Sequence, residues 1–378
     1  METKRYKLKD FAQDISVSIK DAQTSELNRF VGLEHYDSGE PVITRYTDTN
    51  LITSSVKEFQ KNDILIARRN VYLKRAGIAF FSGLTSGDSI VLRIYDDCER
   101  RTGIPKDDAV KIIPFVLNSN DFWVYANKHA DGMNSKRISK EMLYDYEFEL
   151  LPLLEQRALA NKLWSAYRLK ESYKRLLTAT QEMVKSRFIE MFGNPVTNDK
   201  KWETQPIQEI APEKPSNDLQ KGNVWLLNLD MIEPNTGHII EKVYVDSKEL
   251  LSVSPFDEGN VLFSKLRPYL NKVVIPNGKG YATTELLPLR PNEKKLNKTF
   301  FSYLLRSDEF VTYANSIATG TKMPRMPLTS LRKFECILPP MEQQQQFVAL
   351  AEQSDKSVFE IKKSIDAIDA VIKSLING

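Results

Sequence analysis

The apolar positions of this chain fall into two regimes. Two long stretches carry them in steps of three and four, and the rest of the chain carries them in short strand-like runs broken by glycine and polar turns. The first long stretch, from Pro152 to Phe192, holds no proline after its first residue and no glycine before Gly193. It predicts one helix of about eleven turns. Its stripe reads Leu163, Ala166, Leu169, Tyr173, Leu176, Thr180 and Met183. The second stretch starts at Pro339, has no glycine before Gly378, and carries Val358, Ile361, Ile365, Ile368, Ile372 and Leu375. Stripes this narrow are seams for a partner helix and not faces of a broad core. Two such seams in one chain most economically cover each other.

The strand-like regions form a repeat. Lys7–Ala12 answers to Pro206–Ala211, and Phe30–Gly39 to Trp225–Gly237, each an apolar strand running into a glycine turn. Phe59–Arg75 faces Phe256–Lys272, with Asp63 on Asn260, Leu65 on Leu262 and Tyr72 on Tyr269. Leu92-Arg93 matches Leu289-Arg290. Ser119–Asn127 lies over Ser307–Asn315 at an offset of 188, with Gly132 on Gly320 and Arg137 on Arg325. Phe148–Gln156 and Phe334–Gln343 then lead into the two long helices, and here the motifs suggest that the offset shifts to 187. The unit is a strand-rich block followed by a long helix, twice. The expected fold is α+β: two strand-rich α/β domains separated by two long antiparallel coiled-coil helices, related by a pseudo-twofold internal repeat. The expected boundaries are 1–150, 151–192, 193–338 (linker and second block) and 339–378.

Composition narrows the function. With 378 residues the chain is long enough for two cores, and 41% hydrophobic and 27% charged residues are ordinary for a globular protein. No apolar run reaches the roughly 18 residues of a membrane helix, and METKRYKLKDF lacks the apolar centre of a signal peptide. The two cysteines, Cys98 and Cys336, lie in different blocks without CxxC spacing, pointing to a reducing cytoplasm. A net charge of +3 does not by itself indicate nucleic acid. Local clusters do. Block one offers Arg68, Arg69, Lys74 and Arg75 around Tyr72, then Lys136 and Arg137 beyond Gly132. Block two offers Lys265, Arg267 and Lys272 around Tyr269, then Lys322 and Arg325 beyond Gly320. Arginine can bond a guanine edge in two places and lysine neutralises phosphate. For any single residue the competing reading is a solvated surface cation; recurrence in both copies favours contact.

Catalytic signatures do not appear. His35, His129 and His238 are scattered, so no metal site is expected, and there is no phosphate-binding GxxxxGK[ST] loop. No glycine-rich cofactor loop accompanies an NPPY- or DPPY-like tetrapeptide. Gly193-Asn194-Pro195 reads as a helix stop. Glu155 and Glu342 sit where a helix dipole favours a carboxylate.

Two blocks, each entering a long helix through P-x-x-E-Q, resemble the specificity subunit of type I restriction–modification enzymes. That motif stands here as Pro152–Gln156 and Pro339–Gln343. A D/N-x-L-x-x-x-R pattern near Pro-Tyr, typical of that family's target-recognition domains, is clear at Asn260–Tyr269 and partial at Asp63–Tyr72. The resemblance implies a chain without catalysis or cofactor of its own that reads a bipartite site on double-stranded DNA, one half per domain. It also implies two methyltransferase (modification) subunits, which use S-adenosylmethionine, and a restriction/translocase subunit that can join them. Their docking faces would include Lys170, Lys174, Arg175, Lys362 and Lys363. Alternatives are a stand-alone DNA-modifying enzyme and a coiled-coil protein scaffold. A helix of about 40 residues spans roughly 60 Å at 1.5 Å per residue, close to two turns of B-DNA at about 34–36 Å each. Helix pairing is assigned to Leu163, Leu169, Tyr173, Leu176, Met183 and the second stripe from Val358 to Leu375 named above.

Overall fold

A computed structural model describes every residue except Met1, Glu2, Ser16, Asp21, Gln23, Thr24, Thr53, Asn134 and Gly378. The chain divides into two compact units, Met1–Lys174 with Lys363–Gly378, and Arg175–Lys362. Each contains one strand-rich block and parts of both long helices.

In the first unit, Lys4–Lys7 pairs antiparallel with Glu147–Leu150 and closes the block at the point where the long helix begins. One five-stranded sheet orders Ala12–Asp14, Ser89–Ile94, Ile64–Ala67, Ala76–Ala79 and Val42–Ile43. The other orders Ser18–Ile19, Val56–Phe59, Gly83–Ser86, Arg29–Val31 and Thr47–Asp48. Helices Lys106–Val116 and Asn120–Lys128 cover the first sheet, with Phe11, Phe115 and Phe122 in the core between them. The second unit repeats the plan in smaller form. Thr204–Pro206 pairs with Glu335–Ile337, and a four-stranded and a three-stranded sheet are followed by helices Lys298–Arg306 and Asp308–Ser316. Ser119 and Ser307, aligned in the sequence, cap equivalent helices by accepting the N–H groups of Phe122 (3.1 Å) and Phe310 (3.2 Å).

Residues Leu153–Phe192 form one 40-residue helix and Met341–Asn377 one of 37 residues. In the first unit the early residues Leu163 and Tyr167 share a core with the late residue Ile372. In the second, the late residues Phe188 and Phe192 meet the early residue Phe347, at 5.3 and 5.7 Å between ring centroids. Within each unit the two helices therefore run antiparallel, as expected.

Two details of the sequence reading are corrected. On the second helix Val358, Ile361 and Ile372 are buried, and Ile365, Ile368 and Leu375 partly so. On the first helix Leu163 is buried and Tyr173 partly buried, but Leu169, Leu176 and Met183 are 50%, 50% and 49% exposed. The buried line runs one residue further on, through Tyr167, Lys170, Val184 and Phe188. A lysine in that line hides it from a count of apolar positions. The offset, moreover, does not shift. Glu147 and Glu335, the partners of Lys7 and Pro206, are 188 apart, and so are the first helical residues Leu153 and Met341. Gln156 thus corresponds to Gln344, not to Gln343.

Candidate nucleic-acid interface

In each block a strand runs into a one-turn helix whose two flanking residues take the left-handed conformation. In the first, Asn70 (φ 55°) and Lys74 (φ 50°) flank Val71–Leu73; in the second, Arg267 (φ 49°) and Asn271 (φ 47°) flank Pro268–Leu270. The apolar first residue of each turn, Val71 or Pro268, is buried and anchors it. This throws the next side chain outward, leaving Tyr72 59% and Tyr269 48% exposed.

A second loop closes over each turn. Asp131 and Arg137 exchange both backbone hydrogen bonds (2.9 and 2.8 Å), as do Thr319 and Arg325 (2.9 Å each). Gly132 (φ 116°) and Gly320 (φ 104°) make the reversal possible. A Cβ on Gly132 would stand 2.8 Å from the Ser135 carbonyl oxygen, so no other residue fits there without a shift. The loops join the turns through the bridges Arg69 to Arg137 and Leu266 to Arg325. These bridges bring together the two basic clusters of each block, which lie 68 residues apart from Arg69 to Arg137 and 58 from Arg267 to Arg325.

Many of the cations on that surface already have protein partners. Arg69 donates Nε–H to the Ser135 hydroxyl (2.7 Å) and lies 3.8 Å from Asp88, which also faces Arg137 at 3.6 Å. Arg325 forms a fork with Glu285 at 2.9 to 3.3 Å, and Lys265 stands 3.9 Å from the same carboxylate. The hydrogen bonds that Arg325 donates to the Glu285 carboxylate raise its pKa above the ordinary value. Arg75 turns inward and donates to the carbonyls of Leu33 (2.9 Å) and Arg69 (3.0 Å); Lys272 likewise donates to Leu229 (2.5 Å). Burial lowers the pKa of both. Arg68 is half-buried and Lys74, Lys136 and Lys322 are exposed.

Sequence reading missed the acids, because a lone Asp88 or Glu285 carries no signal until the strand beside it is placed. The backbone bonds carry the sequence alignment of Tyr72 with Tyr269 through the cations. Arg68 and Lys265 each donate their N–H to the backbone of the acid, Asp88 (3.0 Å) or Glu285 (3.1 Å), so those two correspond. Asn70 and Arg267 each donate to the residue before the loop arginine, Lys136 or Pro324 (2.7 Å each). Arg267 therefore stands opposite Asn70, as the match of Tyr72 with Tyr269 already implies. The histidines lie apart from this surface. The Nδ1 of His35 accepts the Gly32 N–H (2.9 Å), and His129 pairs with the Tyr125 carbonyl (2.9 Å). Among the described residues no group of three His, Cys, Asp or Glu is arranged to hold a metal. None of their helices is long and apolar enough to cross a membrane.

Each of the two blocks thus presents a basic turn-and-loop surface and leads into a long paired helix. Residues 199–368 match the family model for the type I restriction modification DNA specificity domain. A 120-residue stretch is 25% identical to the type I restriction enzyme EcoDI specificity subunit of Escherichia coli; it covers 32% of this chain and only 26% of that protein. In fold, 99% of the chain superposes on 95% of the type I restriction-modification system S subunit from M. genitalium, with a TM-score of 0.54 and 12% identity. Over residues 199–368 the chain is therefore similar to the specificity domain of type I restriction–modification systems, and it matches only about a quarter of the length of the E. coli relative.

Proposed function

We propose that this protein is the sequence-reading, non-catalytic subunit of a type I restriction–modification complex. Each block reads one half of a bipartite site on double-stranded DNA, and the paired helices fix the gap. The observation that carries the reading is the recurrence, in both copies, of an exposed tyrosine on a left-handed-flanked turn beside a glycine-closed arginine loop. A single such surface would serve one contact; two on one chain fit a divided site. S-adenosylmethionine and the methyl transfer belong to partner subunits in this reading.

Two methyltransferase subunits are the expected partners, joined by a restriction/translocase subunit where one exists. Lys170 is withdrawn from the docking face proposed from the sequence, because it is buried against Glu40 and Asp369. Lys174 and Lys362 also reach back to their own blocks, to Glu40 (3.0 Å) and Glu233 (2.9 Å). The exposed Leu169, Leu176 and Met183, at seven-residue intervals on one helix, offer a better apolar seam for a partner helix. The test is co-expression with a candidate methyltransferase subunit followed by sequencing of methylated host DNA. A gapped two-part methylated motif that disappears without this chain supports the reading; methylation that persists without it refutes it.

A further inference from the structure

The second unit buries Phe192 completely. Its ring packs against Phe188, Phe300 and Phe347, at 5.2, 4.8 and 5.7 Å between centroids. At the offset of 188, the corresponding residues of the first unit are Ile376, Ile112 and Leu159. Those three line a cavity of about 90 Å³. By the internal repeat, this is the place that the Phe192 ring takes in the second unit. Leucine and isoleucine form most of the wall, and exposed Glu149 stands at the rim, so the cavity opens to solvent.

One buried polar side chain faces this space. Gln156 lines the cavity and is only 2% exposed, and among the described residues neither its carboxamide oxygen nor its nitrogen has a hydrogen-bond partner. Its counterpart Gln344 shows what a glutamine does at this position: it accepts from the backbone N–H of Asn297 and donates to the carbonyls of Lys295 and Pro339. The first unit presents no such loop to Gln156. Residues 107 and 109, which correspond to Lys295 and Asn297, lie inside the helix Lys106–Val116, and Ala109 donates its N–H to the Pro105 carbonyl (3.0 Å). A buried carboxamide without partners is destabilising, so its place beside an open apolar cavity calls for a partner that arrives from outside.

A peptide meets both demands, with an aromatic side chain for the cavity and backbone N–H and C=O groups for the glutamine. The surface offers it a path. A cleft of about 500 Å³ shares Val116, Glu149 and Ile376 with the cavity and reaches Asp121. In the second unit the residues after Phe192 follow the matching surface: Asn194, Val196 and Thr197 border one depression with Glu309, the counterpart of Asp121. We propose that the first unit carries a docking site for a phenylalanine-bearing peptide segment of a partner chain. The phenyl ring enters the cavity, the adjoining backbone bonds the Gln156 carboxamide, and the residues that follow run along the cleft past Asp121. The internal repeat carries this independently of how the chain reads DNA.

The probe is a synthetic peptide with the sequence of residues 191–202, MFGNPVTNDKKW, added to the full-length chain. Binding is followed by fluorescence anisotropy of the labelled peptide and by methyl NMR resonances of Ile112, Leu159 and Ile376. Saturable binding that shifts all three resonances is expected. The Phe192→Ala version of the peptide should bind about tenfold more weakly, because it leaves the apolar cavity unfilled. Gln156→Leu in the chain should keep or raise the melting temperature and still weaken peptide binding about tenfold, which separates the lost contact from any loss of fold. No shift at the three resonances with the peptide at about 1 mM would overturn the inference. Equal affinity of the Phe192→Ala peptide would put any binding outside the ring site and overturn it too. So would equal affinity of the Gln156→Leu chain. Each of these negative results leaves the proposed function standing.

Discussion

The ammonium of Lys170, on the first long helix, lies 2.6 Å from a carboxylate oxygen of Glu40 in the first block. The same nitrogen meets Asp369 of the second helix at 2.5 Å, and Lys170 is only 6% exposed. One buried cation thus holds the block to both helices of its unit. Gly39, next to Glu40, donates its N–H to the Lys74 carbonyl (2.8 Å), so the latch abuts the basic turn. Val358 occupies the corresponding helical position in the second unit, where a cleft of about 770 Å³ opens beside it. Removing one partner from a buried ionic group leaves charge without compensation. Lys170→Gln should therefore cost the first unit about 3 kcal/mol in urea unfolding, whereas Val358→Ala should cost less. Equal losses at both sites would show that the latch contributes nothing special.

Acid should loosen the same contact. Burial alone would raise the Glu40 pKa, but hydrogen bonds and charge from Lys170 and Lys174 outweigh it and hold the carboxyl below its ordinary value. A depressed carboxylate pKa gives stability that is complete above the unfolded value of about 4.3 and is lost as pH falls through the folded value. The unit also holds Asp369, Glu171 and Tyr167 near this site. Stability measured from pH 7 downward should stay level to about pH 4.5 and then fall. Glu40→Gln should start lower and fall less steeply; an unchanged slope would remove Glu40 from the acid response.

Gln156 and Gln344 make a paired test of the corrected register. Gln344 accepts the Asn297 N–H (2.9 Å) and donates to the carbonyls of Lys295 (2.9 Å) and Pro339 (2.7 Å), tying its helix to its block. Gln156 is only 2% exposed, and its side-chain amide meets no hydrogen-bond partner among the described residues. Gln344→Leu should cost about 2–3 kcal/mol, because it strands buried backbone groups, while Gln156→Leu should be neutral or stabilising. Thermal melts of the two variants give the comparison directly.

Leu176 tests the position of the seam. Being half exposed, Leu176→Asp should change stability by less than about 0.5 kcal/mol. Ile372→Asp, which places a charge in a buried position, should cost several times more. If Leu176 contributes to partner docking as proposed, its variant should fold normally and fail to retain the methyltransferase subunit in size-exclusion chromatography.

The sequence made the repeat and the helices legible because both rest on local rules: spacing of apolar residues, absence of helix breakers, and turn glycines. Ser119 over Ser307 and Gly132 over Gly320 are of this kind. What it concealed depends on contacts between distant segments. Lys170 reads as a surface lysine until Glu40 and Asp369 are brought to it, and so the first helix's seam was placed one residue early. The repeated letters E-Q suggested a shifted offset that the strand register does not follow.

The central claim is that each block reads its own half-site. Its most direct measurement is the methylated motif of a host carrying the chain with its methyltransferase, before and after residues 1–150 are exchanged for the equivalent block of a relative. The account predicts that one half of the motif changes while the other half and the gap stay the same. A motif in which both halves change, or neither does, would contradict it.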